Sequence, residues 1–201
     1  MIRALVVYES MFGGTHRLAE AIAEGLRAHV DVSMVSVCQA ALRVVSDLVI
    51  VGAPTHAGGL STPETRAEAE EWSKDPERHL VLDRGARGIG VREWLDDLEG
   101  PIGRFAAFDT RANAARIMTG SAATHIERKL HKLGGTPLVD PISFLVHENS
   151  VLEGEFARAV QWGARLAAAA AAADGCLPSD GRGLVGIGSA SAGLFATDDV
   201  D

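Results

Sequence analysis

The sequence has few cysteines and no long apolar run. Its two cysteines, Cys38 and Cys176, lie far apart and outside any Cys-x-x-Cys or Cys/His spacing, which excludes a disulfide framework and predicts a reduced compartment. The N-terminal apolar residues are too few for a signal-peptide core. The longest uncharged run, residues 183–197, is shorter than the roughly 20 apolar residues that span a bilayer. We therefore expect a soluble cytoplasmic protein with no membrane span.

Positive charge is also scarce. Lys and Arg number 19 against 27 Asp and Glu, which gives a net charge of −8. A surface that is acidic overall repels phosphate backbones and anionic lipids, so nucleic acid is excluded as a general partner. Hydrophobic residues make up 47% of the chain and charged residues 23%, as in an ordinary globular domain. A chain of 201 residues can bury a sizeable core without disulfides or metals.

Strand and helix patterns alternate along the chain. Residues 4–8, 30–37 and 48–52 have strand length and β-branched content, and polar residues alternate with Val in the second run. Between the first two, residues 16–29 carry apolar side chains at helical spacing. A strand, a helix and a second strand form a right-handed βαβ unit with parallel strands. The fold class is therefore α/β, with the second strand near a sheet edge.

The second half of the chain continues this alternation. Residues 104–109 and 137–146 predict a fourth and a fifth strand, and residues 121–133 and 153–173 predict helices. Pro141 cannot donate a hydrogen bond to a neighbouring strand, so the fifth strand should lie at the sheet edge or be split in two.

Two stretches differ in composition from the rest. Residues 63–90 are polar and rich in Glu and Arg, which predicts an insertion into a domain of residues 1–173. On a helix within that insertion we expect an exposed ion pair between Arg66 and Glu70. Residues 174–201 are rich in Gly, Ser and Ala and predict a flexible tail.

The clearest chemistry lies at the turn between the first strand and its helix. Ser10, Gly13, Gly14 and Thr15 place two hydroxyls and two glycines at this turn. The first amides of a helix and the positive end of its dipole bind anions, and glycine lets the backbone approach closely. The spacing predicts a phosphate site. The same spacing is compatible with an alternative in which the two hydroxyls only cap the helix and the two glycines only allow the chain to turn.

Several other sites are excluded by motif. The turn lacks the Lys of a P-loop and the G-x-G-x-x-G spacing of a dinucleotide site, and residues 183–188 lack that spacing too. The seven histidines include no H-x-x-x-H pair, and the sequence has no G-x-S-x-G hydrolase motif. No metal site is predicted, and the phosphate of flavin mononucleotide (FMN) remains as the ligand.

Residues 6–22 resemble the N-terminal signature of the flavodoxin family. The matching positions are a hydrophobic pair, an aromatic residue, Ser or Thr, a small residue, Thr, Ala and an aliphatic residue. The resemblance extends more loosely over residues 2–173. It implies a flavodoxin-like three-layer sandwich with a five-stranded parallel sheet in the order 2-1-3-4-5, and FMN at the carboxyl ends of the strands.

The resemblance also implies which residues bind FMN. One loop would hold the ribityl phosphate, and two loops would line the two sides of the isoalloxazine ring. The residues are Ser10, Met11, Phe12, Gly13, Gly14 and Thr15 in the phosphate loop; Pro54, Thr55, His56, Ala57, Gly58, Gly59 and Leu60 in one ring-side loop; and Asp109, Thr110 and Arg111 in the other.

Two features depart from the family pattern. Phe12 and Gly14 stand where flavodoxin phosphate loops usually carry Thr and Asn, so backbone amides must supply those donors. The ring-side loops contain His56 but no Trp or Tyr that could stack on the flavin ring. The alternative interpretation of His56 is a loop residue that faces solvent. We interpret Trp72 and Trp94 as packing residues of amphipathic helices and assign neither to the flavin.

We therefore expect an FMN-binding flavodoxin-like redox protein. It would be either an electron carrier that serves a redox partner protein or an FMN-dependent oxidoreductase that reduces a small-molecule electron acceptor. The alternative is a flavodoxin-like domain that has lost FMN and acts as a binding or regulatory module.

Overall fold

The computed structural model describes residues 1–175. The predicted tail therefore lies outside the described residues, apart from Asp174 and Gly175, which end the last helix. The strands are β1 Arg3–Tyr8, β2 Asp31–Ser36, β3 Leu48–Pro54, β4 Arg104–Ala112, β5 Thr136–Pro137, β6 Ile142–His147 and β7 Ser150–Val151. The helices are α1 Gly14–Leu26, α2 Pro63–Lys74, α3 Val91–Asp97, α4 Arg116–Thr119, α5 Ala122–Lys132 and α6 Glu155–Gly175, with 3₁₀ turns at Val37–Gln39 and Pro76–Arg78.

The strands form one sheet in the order β2-β1-β3-β4-β6-β7, and β5 also pairs with β4. All pairs are parallel except β6 with β7. The predicted order 2-1-3-4-5 is confirmed, with extra short strands. Because these strands are parallel, the carboxyl ends of β1, β3 and β4 lie at one edge of the sheet, where the predicted site loops begin.

The predicted fifth strand is split in two. β5 pairs with Arg104 and Phe105, whereas β6 pairs with the later residues of β4, from Phe108 onward. Pro141 immediately precedes β6, so the chain breaks the ladder beside the residue that cannot donate to it. The edge position is taken instead by β7, which is too short to be seen as a strand in the sequence.

Helices cover both faces of the sheet. One apolar cluster joins the sheet to α1 and α6, and the other joins it to α3 and α5. A Cβ atom on Gly163 of α6 would lie 2.2 Å from the Ile22 carbonyl oxygen, so α1 and α6 pack closely only because this position is glycine. Phe108, Phe144 and Trp162 meet edge to face at 6.1–6.4 Å between ring centroids.

Segment 63–90 folds as α2, the second 3₁₀ turn and irregular chain that packs on the phosphate loop. Its Ala69 and Ala86 form a small buried cluster with Met11, and the Asp83 amide donates to the Met11 carbonyl at 2.8 Å. This docking gives a polar segment a fixed position against the loop. Its status as an insertion remains a prediction.

The predicted pair between Arg66 and Glu70 is wrong. Arg66 turns inward and its guanidinium lies 3.2 Å from a Glu93 carboxylate oxygen, while Glu70 pairs with Arg87 at 2.9 Å. Arg66 has two partners in this position, because its guanidinium also donates to the Ser61 hydroxyl at 2.9 Å. Within residues 1–175, none of the helices is long and apolar enough to cross a membrane.

Candidate functional site

A cavity of about 460 Å³ opens at the carboxyl edge of the sheet. Five parts of the chain line it: the loop after β1, the loop after β3, the end of β4 with the residue that follows it, helix α2 and the β6–β7 hairpin. The lining residues are Ser10, Met11, Phe12, Gly14, Thr15, Pro54, Thr55, His56, Ala57, Trp72, Thr110, Arg111, Ala112, Asn113, Val146, His147, Glu148 and Asn149.

The structure brings most of the predicted site residues to this cavity but not all of them. Gly13 lines a separate cavity beside Tyr8 and His16, on the other side of the phosphate loop. Three further predicted residues, Gly58, Gly59 and Leu60, line a smaller cavity with Arg92 and His125. Asp109 is fully buried beneath the site.

The phosphate loop ends in a helix start that lacks a side-chain cap. Gly13 is the N-cap residue, with a φ of +83°, and makes no side-chain cap hydrogen bond. The Ser10 hydroxyl instead accepts from the Gly13 amide at 3.1 Å. The first backbone bond of α1 runs from the Arg17 amide to the Gly13 carbonyl, so the amides before Arg17 lie at the positive end of the helix dipole.

Hydroxyls flank this helix start. Thr15 is buried, and its hydroxyl lies 3.0 Å from that of Thr110, which lies in β4. Ser10 is also buried. The loop therefore combines glycines, amides and hydroxyls, which is the donor set for a phosphate that is not bound by Lys.

Two buried acidic residues at this edge, Glu9 and Asp109, bind the starts of other helices. A Glu9 carboxylate oxygen accepts from the Val91 amide at 2.7 Å, at the start of α3. Burial raises the pKa of Glu9, and the Ser61 hydroxyl, the Val91 amide and Arg66 oppose that rise. Asp109 accepts from the Ser121 hydroxyl at 2.6 Å and the Ala123 amide at 2.9 Å, at the start of α5.

The first ring-side loop is a tight turn. His56 and Gly59 exchange two backbone hydrogen bonds of 2.8 and 2.9 Å, and Gly58 between them has a φ of +89°. The Thr55 amide donates to the Thr110 carbonyl at 2.7 Å, which joins this loop to the end of β4. Burial lowers the pKa of His56, so this imidazole is neutral at pH 7 and can accept or donate a hydrogen bond.

Asp109, Thr110 and Arg111, which we predicted in a loop after the fourth strand, lie within β4, because that strand continues to Ala112. Arg111 lines the cavity and orders the chain that follows β4. Its guanidinium donates to the Ala114 carbonyl at 2.7 Å and to the Thr119 hydroxyl at 3.4 Å. The cation is therefore held near the cavity wall by the loop it stabilises.

Sequence reasoning missed two parts of the site. Trp72, which we interpreted as ordinary helix packing, lines the cavity, and Arg78 stacks over its ring at 5.2 Å. Trp94 is fully buried as expected, and its indole donates to the Ala41 carbonyl at 3.1 Å. The β6–β7 hairpin was missed as well. Both additions depend on how a distant segment docks, which local sequence patterns do not encode.

Metal chemistry has no support in the described part of the chain. Across residues 1–175, no three His, Cys, Asp or Glu side chains come together in a group that could hold a metal ion.

The chain was compared with protein-family models and with curated proteins. The family model for flavodoxin matches residues 6–99. No curated protein matches the sequence.

Solved structures share the fold at low identity. A flavodoxin from the domain Archaea is 20% identical with a TM-score of 0.56, covering 85% of this chain and 99% of its own. Oxidised flavodoxin 1 from Bacillus cereus is 16% identical with a TM-score of 0.58, covering 82% and 96%. A flavodoxin from Streptococcus pneumonia TIGR4 is 17% identical with a TM-score of 0.56, covering 83% and 98%.

Proposed function

We propose that this protein is an FMN-binding redox protein, because the chain is flavodoxin-like in its fold and in the sequence of residues 6–99. The phosphate would lie at the start of α1, and the ring would lie between the loops after β3 and β4. When bound, FMN supplies the redox chemistry by accepting one or two electrons, and the protein binds it and tunes it.

The uncapped start of α1 carries this proposal. Helices α2, α3 and α5 begin near the same edge, and each has a partner for its first amides: Thr62, Glu9 and Asp109 respectively. At α1 the N-cap residue Gly13 makes no side-chain cap hydrogen bond, and the Ser10 hydroxyl accepts only from the Gly13 amide. Unpaired amides beside two buried hydroxyls and two glycines form a site for a dianion rather than a simple turn.

The rest of the cavity suits the remainder of FMN. Its volume of about 460 Å³ falls in the range of small-molecule sites. Trp72 and Met11 give it apolar walls, and Thr110 and His56 give it hydrogen-bonding groups. Arg111 places a cation at the wall, where it would favour a ring that gains negative charge on reduction.

Reconstitution with FMN tests the proposal. The protein is incubated with excess FMN and desalted, and its visible absorbance is recorded; we expect flavin bands that remain with the protein. Intrinsic fluorescence gives a second signal, because Trp94 and Trp162 are buried while Trp72 lines the cavity. FMN should quench Trp fluorescence, and Trp72→Phe should reduce the quenching because it removes the emitter that lines the cavity. Loss of all flavin on desalting, with no quenching, would favour a domain that has lost FMN.

The electron acceptor is a finer part of the proposal. A carrier would pass electrons to a redox partner protein, and an oxidoreductase would reduce a small molecule directly. Steady-state oxidation of NADPH by a quinone, catalysed by the FMN-loaded protein, would support the oxidoreductase. Reduction of the bound flavin without such turnover would support the carrier.

A further inference from the structure

The β6–β7 hairpin closes one side of the cavity with a two-residue turn. Glu148 and Asn149 connect the paired residues His147 and Ser150, and they have φ values of +47° and +64°. Positive φ at both central residues is the pattern of a type I′ turn. Asn is favoured in this conformation, and Glu is not.

The hairpin is held in a fixed position. The Leu145 amide of β6 donates to a Glu155 carboxylate oxygen of α6 at 2.9 Å, and the Leu152 amide donates to the Leu145 carbonyl at 3.0 Å. Arg158 pairs with the same Glu155 carboxylate and donates to the Ser143 carbonyl at 2.5 Å. The turn therefore projects from an anchored pair of strands.

The turn lies directly against the uncapped start of α1. A Cβ atom on Gly14, the first residue of α1, would lie 3.4 Å from a Val151 methyl carbon and 3.9 Å from the Asn149 carbonyl oxygen. Asn149 also lines the cavity that contains Ser10 and Thr15. The hairpin tip and the phosphate loop thus face one space.

The phosphate loop leaves a place for a donor from elsewhere. Phe12 and Gly14 carry no hydrogen-bonding side chain, and the guanidinium of Arg111 is engaged by loop carbonyl and hydroxyl groups at the end of β4. A phosphate dianion has more acceptor positions than Ser10 and Thr15 can fill. Asn149 is an exposed residue that lines the same cavity, and its side-chain amide carries two N–H donors.

We propose that Asn149, at the tip of the β6–β7 hairpin, donates a hydrogen bond to the phosphate of the bound flavin. This rests on the proposed function, because the ligand is the FMN phosphate. Asn149 then sets the preference for a phosphorylated flavin over riboflavin. Glu148 takes no part, since its side chain is 87% exposed and lies 3.8 Å from the His147 imidazole.

A simpler explanation for Asn149 is that this position needs a residue that tolerates positive φ. The variants below separate that backbone role from hydrogen bonding to the phosphate. Asn149→Gly keeps a residue that adopts positive φ readily and removes only the amide. Asn149→Asp keeps the shape and puts a negative charge beside the phosphate. Glu148→Gly changes the neighbouring turn residue and serves as the matched control.

The experiment measures the dissociation constants of FMN and riboflavin, by quenching of flavin fluorescence, for the wild-type protein and the three variants. Asn149→Gly should weaken FMN about tenfold, Asn149→Asp should weaken it further, and both should leave riboflavin within about twofold. Glu148→Gly should not weaken FMN.

An unchanged ratio of FMN to riboflavin affinity in Asn149→Gly, in a wild-type background that binds FMN, would overturn the role of Asn149 alone. Equal losses for both flavins would also overturn it, because they would show a damaged cavity. A wild-type protein that binds neither flavin would overturn the proposed function together with this inference.

Discussion

Helices α1 and α5 both begin at the carboxyl edge of the sheet, but their first turns differ. α5 begins with filled bonds: the Ala122 amide donates to the Thr55 hydroxyl, and the Ala123 amide donates to the Asp109 carboxylate. α1 follows Gly13, and no side chain in the described residues 1–175 caps it. The Asp109 carboxylate stabilises the start of α5 whether or not the folded protein has bound a ligand. Under the proposed function, an anion bound at the start of α1 would stabilise this helix, so its stability would depend on a ligand.

The largest expected effect is at the capped helix. Asp109→Ala should lower the free energy of unfolding of the flavin-free protein by about 2–4 kcal/mol, because it leaves the Ser121 hydroxyl and the Ala123 amide unpaired in a fully buried place. Asp109→Asn keeps one acceptor oxygen and should lose about half as much. Urea unfolding measures both. Equal stability of the wild type and Asp109→Ala would remove the contrast between the two helices.

The opposite pattern is expected at the uncapped helix. Ser10→Ala combined with Thr15→Ala should weaken FMN by about 100-fold, from two lost hydrogen bonds to a charged acceptor at about 1.5 kcal/mol each. The flavin-free protein should lose only about 1–2 kcal/mol, because the Thr110 hydroxyl and the Gly13 amide each lose a partner. Calorimetric titration with FMN and urea unfolding give the two numbers. Unchanged FMN affinity would show that these hydroxyls cap the helix and bind no phosphate.

A third helix start predicts a pH dependence. Burial raises the pKa of Glu9, whose carboxylate caps α3 between Arg66 and Glu93. The ordinary pKa of a Glu side chain is 4.5. As pH rises above this value, the Glu9 carboxyl group stays protonated in the folded state to a higher pH than in the unfolded state. Glu9 therefore lowers the free energy of unfolding as pH rises through the window between the two pKa values, by at most about 1.4 kcal/mol per pH unit.

Glu9→Gln removes that titration. Its stability relative to the wild type should increase from pH 4.5 upward and become constant above the folded-state pKa of Glu9. Thermal or urea unfolding at pH 4 to 8 measures the difference in the free energy of unfolding between the two proteins. We expect it to change by roughly 1 kcal/mol per pH unit between the unfolded-state and folded-state pKa values of Glu9. Parallel stability curves for the two proteins would show that the Glu9 pKa is the same in both states.

The smallest expected effect concerns the ring end of the cavity. Arg111→Ala should lower the midpoint potential of bound FMN by roughly 20–40 mV at low salt, since a half-exposed cation contributes about 0.5–1 kcal/mol to a developing negative charge. High salt should shrink the shift. Arg111→Gln is the matched control that keeps a donor for the Ala114 carbonyl. An unchanged potential at low salt would show that Arg111 lies away from the ring, and a rise would contradict the placement of this part of the chain beside the flavin.

The parts of this account that were predictable from sequence are the local ones. The βαβ unit and the strand order follow from apolar runs and from one family signature, and the phosphate loop lies between β1 and α1, where adjacent residues in sequence stay adjacent in space. Even there the helix begins at Gly14 and not at His16, because the left-handed Gly13 turns the chain earlier.

The parts that were not predictable depend on docking between distant segments. Trp72 reaches the cavity because α2 packs through Ala69 against Met11, and no periodicity in α2 encodes that contact. The interpretation of Arg66 failed for the same reason, since its partner Glu93 lies on another helix. Asn149 belongs to a hairpin whose second strand has two residues, which is below the length at which alternation can be recognised.

The comparison of FMN with riboflavin on the wild-type protein tests the central claim most directly, because the two ligands differ only in the phosphate. If the uncapped start of α1 is a phosphate site, calorimetry should give FMN a dissociation constant at least about 100-fold lower than that of riboflavin. Equal affinities for the two flavins would contradict the claim, because the start of α1 would then contribute nothing to binding.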